Sequence, residues 1–163
     1  IKIILKTNYI NIIIMIKYAI VLPAGSGKST LASKYDFLID IDALHSKEFQ
    51  YELRKLYKET CITGDWHRYN AFECNSILPQ LQNYTPNHIL MVHCVEKATI
   101  LGLTVLGIWK TSRLIMENVI KQRNDTKGVV MLNWESLKDA QILETHNDIE
   151  NAILDTIKDI IKD

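Results

Sequence analysis

The sequence predicts an α/β fold, a three-layer α/β/α sandwich around a mostly parallel five-stranded sheet. Three observations predict it. A branched apolar run, Tyr18-Ala19-Ile20-Val21-Leu22, reads as a buried strand that stops at Pro23 and passes through two glycines, a lysine and two hydroxyl residues into a helical start at Leu31. Further short apolar runs alternate with helical patterns down the chain, as in βαβ units. Asp40-Ile41-Asp42 closes the second run, at the strand edge where open α/β sheets bind ligands.

Strand, glycine loop and helix in that order suit a phosphate. Glycines let backbone N–H groups converge on an oxyanion with no Cβ in the way, and the helix N-terminus adds unpaired donors and partial positive charge. Ala24, Gly25, Ser26, Gly27, Lys28, Ser29 and Thr30 form the nucleotide-binding set, with Lys28 on the outer phosphates and the Ser29 hydroxyl on Mg²⁺. The pattern G-x-x-x-x-G-K-[ST] is matched in its second half, because Leu22 stands where its first glycine belongs.

A chain of 163 residues has the length of one domain, enough for a sheet covered on both faces. Hydrophobic residues at 47% and charged residues at 23% suit a soluble globular protein. Nineteen basic residues balance 19 acidic ones, so no global basic field draws in nucleic acid. Cys61, Cys74 and Cys94 are odd in number and lack C-x-x-C spacing, which suits reduced thiols in the cytoplasm and argues against a zinc site or a disulfide frame. The first 16 residues are apolar but broken by Lys2, Lys6, Asn8 and Asn11, too interrupted to span a membrane. Met15 sits just before the first strand of the core, so residues 1–14 read as an N-terminal extension or an extra edge strand, and residues 15–163 as the domain.

Residues 28–34 read as the first helix, and Phe37-Leu38-Ile39 as a strand ending on Asp40-Ile41-Asp42. Strand period puts the two carboxylates on one side, beside the glycine loop. They can also cap the helix that follows. That helix runs over residues 43–58, residues 60–64 form a loop, and a helix from Asp65 towards Leu81 opens with Trp66, His67, Arg68, Tyr69 and Asn70. Aromatic and basic groups crowded at one helix start could stack on and ion-pair with an acceptor. Residues 88–93 read as a central strand, ending on His93 and Cys94 where many phosphate-loop enzymes have a metal-ordering aspartate. That task falls to Asp40 or Asp42. A short helix over 95–101, a strand over 103–109 and a helix from Thr111 or Ser112 carrying Arg113, Lys121 and Arg123 come next. Broken at residues 124–128 and resumed towards residue 138, this stretch reads as a lid over about 112–138 whose arginines spread phosphoryl charge. A last strand over 141–144 and a helix with Ile149, Ile153, Ile157 and Ile160 inward complete the chain, with Asn147 to Glu150 as the capping pattern.

The Pro23-Ala24-Gly25-Ser26-Gly27-Lys28 loop resembles that of the small P-loop kinases, a set that includes nucleoside and nucleotide kinases, shikimate and gluconate kinases and polynucleotide kinase. Asp40-Ile41-Asp42 resembles the Asp-x-Asp of shikimate kinase, which implies a metal role for Asp40 and an acceptor role for Asp42. Asp42-Ala43-Leu44-His45 is similar to the Asp-x-Leu-His of gluconate kinase, which brings His45 to the acceptor. The glycine-rich motif that follows the central strand in shikimate kinase is missing, and Asn118 occupies a place where an arginine is usual. The resemblance implies a P-loop NTPase fold of nucleotide-kinase type that takes ATP and Mg²⁺ and transfers the γ-phosphoryl to a small acceptor. In this reading Lys28, Asp42 and Arg123 are catalytic; Asp42, His45, Trp66 and Arg68 bind the acceptor; Ser29 and Asp40 serve the metal. Trp66, His67 and Tyr69 favour a nucleoside or nucleotide over a sugar acid or a 5′-hydroxyl nucleic-acid end. No membrane partner is expected, and the protein would be a monomer or homodimer. The rival expectations are a P-loop ATPase or nucleotide-gated binding module with no acceptor, and a degenerate interaction protein that keeps the fold without the chemistry.

Overall fold

The computed structural model describes residues 3–7, 10–124 and 128–161, with side chains from residue 14 onward. Strands β1 (Ile3–Thr7) and β2 (Ile10–Ile14) pair antiparallel in a two-stranded sheet of their own. They add no edge to the main sheet. Lys2 and Asn8 lie outside the described residues, as do 125–127 in the break expected after Arg123.

The main sheet has five strands, all parallel: β3 (Tyr18–Val21), β4 (Leu38–Asp40), β5 (Ile89–Val92), β6 (Thr104–Thr111) and β7 (Gln141–Leu143). Their spatial order is β4-β5-β3-β6-β7. The chain therefore leaves β3 for one edge, returns to fill the gap with β5, and crosses to the other side with β6. The crevice for a ligand lies at such a reversal, outside the carboxyl ends of the central strands.

Both faces of the sheet are buried, and the period of two sorts the side chains between two cores. Ala19, Val21, Leu90 and Val92 pack with Cys74, Ile77 and Leu81 of α3 (Trp66–Leu81) and Ala98 of α4 (Val95–Ile100). Ile20, Leu22, Ile89 and Met91 pack on the other side with Leu31 of α1 (Lys28–Lys34) and the Ile149, Ile153 and Ile157 stripe of α7 (His146–Ile157). Helices thus cover both faces of the parallel sheet. No helix among the described residues is long and apolar enough to cross a membrane.

Local chemistry moves several boundaries. Ile41–Leu44 is a 3-10 turn, and α2 begins only at Lys47, capped by Ser46, and runs to Thr63. Thr60, expected in a loop, is buried in that helix with its hydroxyl on the Leu56 carbonyl at 2.7 Å, and Gly64 ends the helix at a φ of 74°. At α7 the cap is Thr145 rather than Asn147, its Oγ1 accepting from the Asp148 N–H at 3.0 Å. The lid region forms α5 (Arg113–Arg123) and α6 (Val129–Ser136).

Candidate functional site

The loop between β3 and α1 lies at the carboxyl end of the central strand. Gly25 has φ 82° and Gly27 has φ 84°, values open to glycine at little cost. A Cβ at Gly25 would stand 2.8 Å from Val119 Cγ1 and 3.9 Å from the Arg123 guanidinium carbon, so α5 and Arg123 lie against the loop. His146, at the start of α7, approaches Gly27, its Cδ2 4.0 Å from where a Cβ there would stand. Lys28 is buried, and its ammonium donates to the carbonyls of Leu22 at 3.4 Å and Pro23 at 3.3 Å. Burial pulls its pKa down to about 8 against the carboxylates of Asp42 and Asp40, which draw it back up. Ser26 is buried with a hydroxyl that has no partner among the described residues, whereas Ser29 and Thr30 are exposed on the first turn of α1. Left-handed glycines, an orphaned hydroxyl and a buried ammonium fit a polyphosphate.

The acidic pair is arranged by a turn rather than by strand period. Asp40 ends β4 and its Oδ1 accepts from the Asp42 N–H at 3.2 Å, capping the 3-10 turn. Burial, reinforced by the Asp42 charge, pushes the Asp40 carboxyl up. Asp42 is half-exposed, and its Oδ2 lies 3.4 Å from His93 Nε2. Burial alone would raise its pKa, but the His93 hydrogen bond and the nearby charges, Lys28 and Lys97 among them, hold it well below the usual carboxylate range. β5 lies between β4 and β3, so His93 at the end of β5 lies beside the acidic pair.

Behind His93 runs a buried charge network. Lys97 Nζ lies 3.1 Å from His93 Nδ1 and pairs with Glu73, whose second oxygen meets His45 Nε2 at 3.1 Å. Glu73 is 1% exposed and Lys97 4%. Burial and the charges of Lys97 and Lys28 bring the His93 pKa down to about 4, so its ring is neutral near pH 7. Asp42, Glu73 and His93 each offer a ligand atom within 4.8 Å of the others. The Lys97 ammonium compensates one of the two carboxylates of that cluster, Glu73.

A cavity of about 580 Å³ reaches from Ala24 and His93 to the aromatic start of α3. Tyr57, Trp66 and Tyr69 meet edge to face there, with ring centroids 5.5 to 6.0 Å apart. Asn70 donates to Glu96 at 2.7 Å on its wall, and His67 also pairs with Glu96. Its remaining wall is α6, held down by Asn133, which accepts from the Ala24 N–H at 2.8 Å and donates to the His93 carbonyl at 2.9 Å, and by Trp134 Nε1 on the Thr111 carbonyl at 2.9 Å. A second cavity of about 280 Å³ adjoins Asp42, His45 and Arg54 and shares Tyr57 and Tyr69 with the first.

The structure thus sets Arg123 against the loop at Gly25 and Lys28 within electrostatic reach of Asp40 and Asp42, while Ala24 and Trp66 line the larger cavity and Asp42 and His45 the smaller. Arg68 is elsewhere: it is exposed and pairs with Glu59 at 3.7 Å. Arg113 also turns away, to Glu117 at 3.1 Å and Glu135 at 3.6 Å, and does not share the loop-facing side of Arg123.

No family model matches the chain, and no solved structure matches it. A stretch of 89 residues, 52% of the chain, is 32% identical to part of the RNA-directed RNA polymerase of Penicillium chrysogenum virus (isolate Caston/2003). The match covers 8% of that protein's length.

Tyr57, Glu73, Lys97 and Asn133 are among the site residues that sequence reasoning did not assign. For Glu73 a signal exists: it falls on the same helical stripe as Asn70, Cys74 and Ile77, all buried. For Lys97, in the six-residue α4, the sequence carries no such signal.

Proposed function

We propose that this chain is an ATP-dependent phosphotransferase of P-loop kinase type that moves the γ-phosphoryl of Mg-ATP to a hydroxyl or phosphate of a small acceptor, with a nucleoside or nucleotide favoured. The observation that carries this reading is the convergence of the glycine loop and its buried Lys28 with Asp40 and Asp42, next to an aromatic-walled cavity that reaches the loop at Ala24. Loop amides and Lys28 would hold the polyphosphate, and Arg123 lies close enough to Gly25 to share its charge. Ser29 and Asp40 would be the residues that hold Mg²⁺, which when bound would supply positive charge to the phosphates. With a hydroxyl acceptor, the acceptor oxygen forms the new bond to phosphorus as the bond to the β-phosphate oxygen breaks. ADP leaves with that electron pair, and Asp42 takes the hydroxyl proton. A loose transition state asks for positioning more than for a strong base, which suits a carboxylate of depressed pKa. Tyr57, Trp66 and Tyr69 offer ring faces and edges to a base.

A second acceptor class is a 5′-hydroxyl nucleic-acid end; the likeness to a segment of a protein named an RNA-directed RNA polymerase brings nucleic acid, as a class of ligand, into the test. One assay separates the readings: incubation with Mg-ATP, with ADP release compared with and without nucleosides, nucleotides, sugar acids and 5′-hydroxyl oligonucleotides. Stimulation by one acceptor class is the expected result and names the substrate. Acceptor-independent release would make the protein an ATPase. Neither release nor thermal stabilisation by nucleotide would remove nucleotide chemistry altogether.

A further inference from the structure

Between Glu73 and Asp42 lies an unbroken run of polar contacts that phosphate binding does not require. Glu73 pairs with Lys97, Lys97 Nζ lies 3.1 Å from His93 Nδ1, and His93 Nε2 lies 3.4 Å from Asp42 Oδ2. The chemistry of each group fixes its neighbour. Glu73, 1% exposed, pairs with the Lys97 ammonium and compensates its charge. An ammonium has donors and no acceptor, so at His93 it donates, and Nδ1 must carry no proton. A neutral imidazole with a bare Nδ1 carries its hydrogen on Nε2, the nitrogen that faces Asp42. The imidazole therefore donates to Oδ2 and leaves Asp42 held from one side and half-exposed on the other.

We propose that Glu73, Lys97 and His93 are positioning residues that fix the Nε2–H tautomer of His93 and so aim the Asp42 carboxylate at the acceptor hydroxyl. The proposal rests on the phosphotransfer reading above, although its first step, the tautomer, stands apart from any activity. Three elements meet to build it: α3 supplies Glu73, α4 supplies Lys97, and the end of β5 supplies His93. The 3-10 turn after β4 brings Asp42 to them. Within this arrangement His93, the residue that follows β5, orients a carboxylate delivered from the end of β4 and contributes none of its own.

The test has a spectroscopic arm and a kinetic arm. Nitrogen-15 NMR of histidine-labelled protein near pH 7 is expected to show His93, identified by its absence from His93→Gln, as a neutral ring protonated on Nε2. A ring protonated on Nδ1, or on both nitrogens, would overturn the proposal with or without activity. Replacing the buried pair together, Glu73→Gln with Lys97→Met, avoids stranding one charge and is expected to release the tautomer preference. An unchanged preference in a folded double variant would take Lys97 out of the chain.

In steady-state kinetics with the acceptor found above, His93→Leu is expected to lower kcat about 10- to 100-fold with KM for ATP within about twofold. His93→Gln, whose amide can donate to Asp42 and accept from Lys97, is expected to restore most of it. Equal losses in both variants, or a rise in KM for ATP at unchanged kcat, would overturn the positioning role. A wild-type protein with no acceptor-dependent turnover overturns the phosphotransfer reading and this role with it, while the NMR arm still decides the tautomer.

Discussion

Lys28 points its ammonium back at the Leu22 and Pro23 carbonyls, and burial depresses its pKa to about 8. A lysine whose folded pKa lies below its unfolded value costs stability while charged. The penalty is present in full below about pH 8 and lifts as the pH rises towards the unfolded value. Lys28→Met is therefore expected to melt no lower than wild type at pH 7, to lose the stabilisation given by Mg-ATP, and to lose at least about 100-fold in turnover. Thermal unfolding with and without nucleotide checks it, and a retained nucleotide shift would take Lys28 out of phosphate binding. Asp42→Asn tests the opposite side of the crevice: nucleotide-induced stabilisation should persist while acceptor phosphorylation disappears. If the change weakens nucleotide affinity alone, Asp42 belongs with the metal. These residues were legible in the sequence because their chemistry is local: a loop motif of six consecutive residues and an acid-x-acid step carry their meaning in spacing alone. Lys97 was not legible, because a lysine in a short helix reads as solvated until the fold supplies Glu73 opposite it.

At the scale of elements, α3 does two things with one stripe. Cys74, Ile77, Leu78 and Leu81 seal it to the sheet, and Asn70 and Glu73, nearer its N-terminal end, carry polarity into the same interface. A buried carboxylate in that position is tolerated because Lys97 and His45 meet both of its oxygens. Glu73→Gln alone leaves the Lys97 charge buried without compensation and is expected to cost about 3–5 kcal/mol of stability. The Glu73→Gln/Lys97→Met pair should cost clearly less, because no charge is stranded. Urea unfolding of the single and double variants decides it; equal losses would mean that the interaction is not a coupled pair. The start and end of α3 were readable from Asp65 and the apolar repeat, since caps and period are local signals. The late start of α2 was not readable, because Asp40 caps a 3-10 turn first and displaces the helix to Ser46.

Across the whole molecule, the alternation of strands and helices was visible in sequence, but their lateral order was not. Apolar runs fix which residues form strands, and no run says which strand lies between two others. That order decides the site, since β5 lies between β4 and β3 and so sets His93 beside Asp42. The same order leaves the aromatic cavity open to the loop on one side and walled by α6 on the other, with Cys94 in its lining. Three thiols then report on it. Cys61 is exposed; Cys74 is buried, its thiol pushed up to about 12 by burial; Cys94 is partly buried and also raised by burial. Because the thiolate is the reactive form, alkylation of the native protein at pH 8 should modify Cys61 first, Cys94 slowly and Cys74 not at all. An acceptor that stimulates turnover should shield Cys94 and leave the Cys61 rate unchanged, whereas a non-hydrolysable ATP analogue alone should protect it little. Peptide mapping by mass spectrometry over time gives the three rates. An active acceptor that leaves Cys94 as reactive as before would move the acceptor to the smaller cavity beside Arg54, which shares Tyr57 and Tyr69 but not this cysteine.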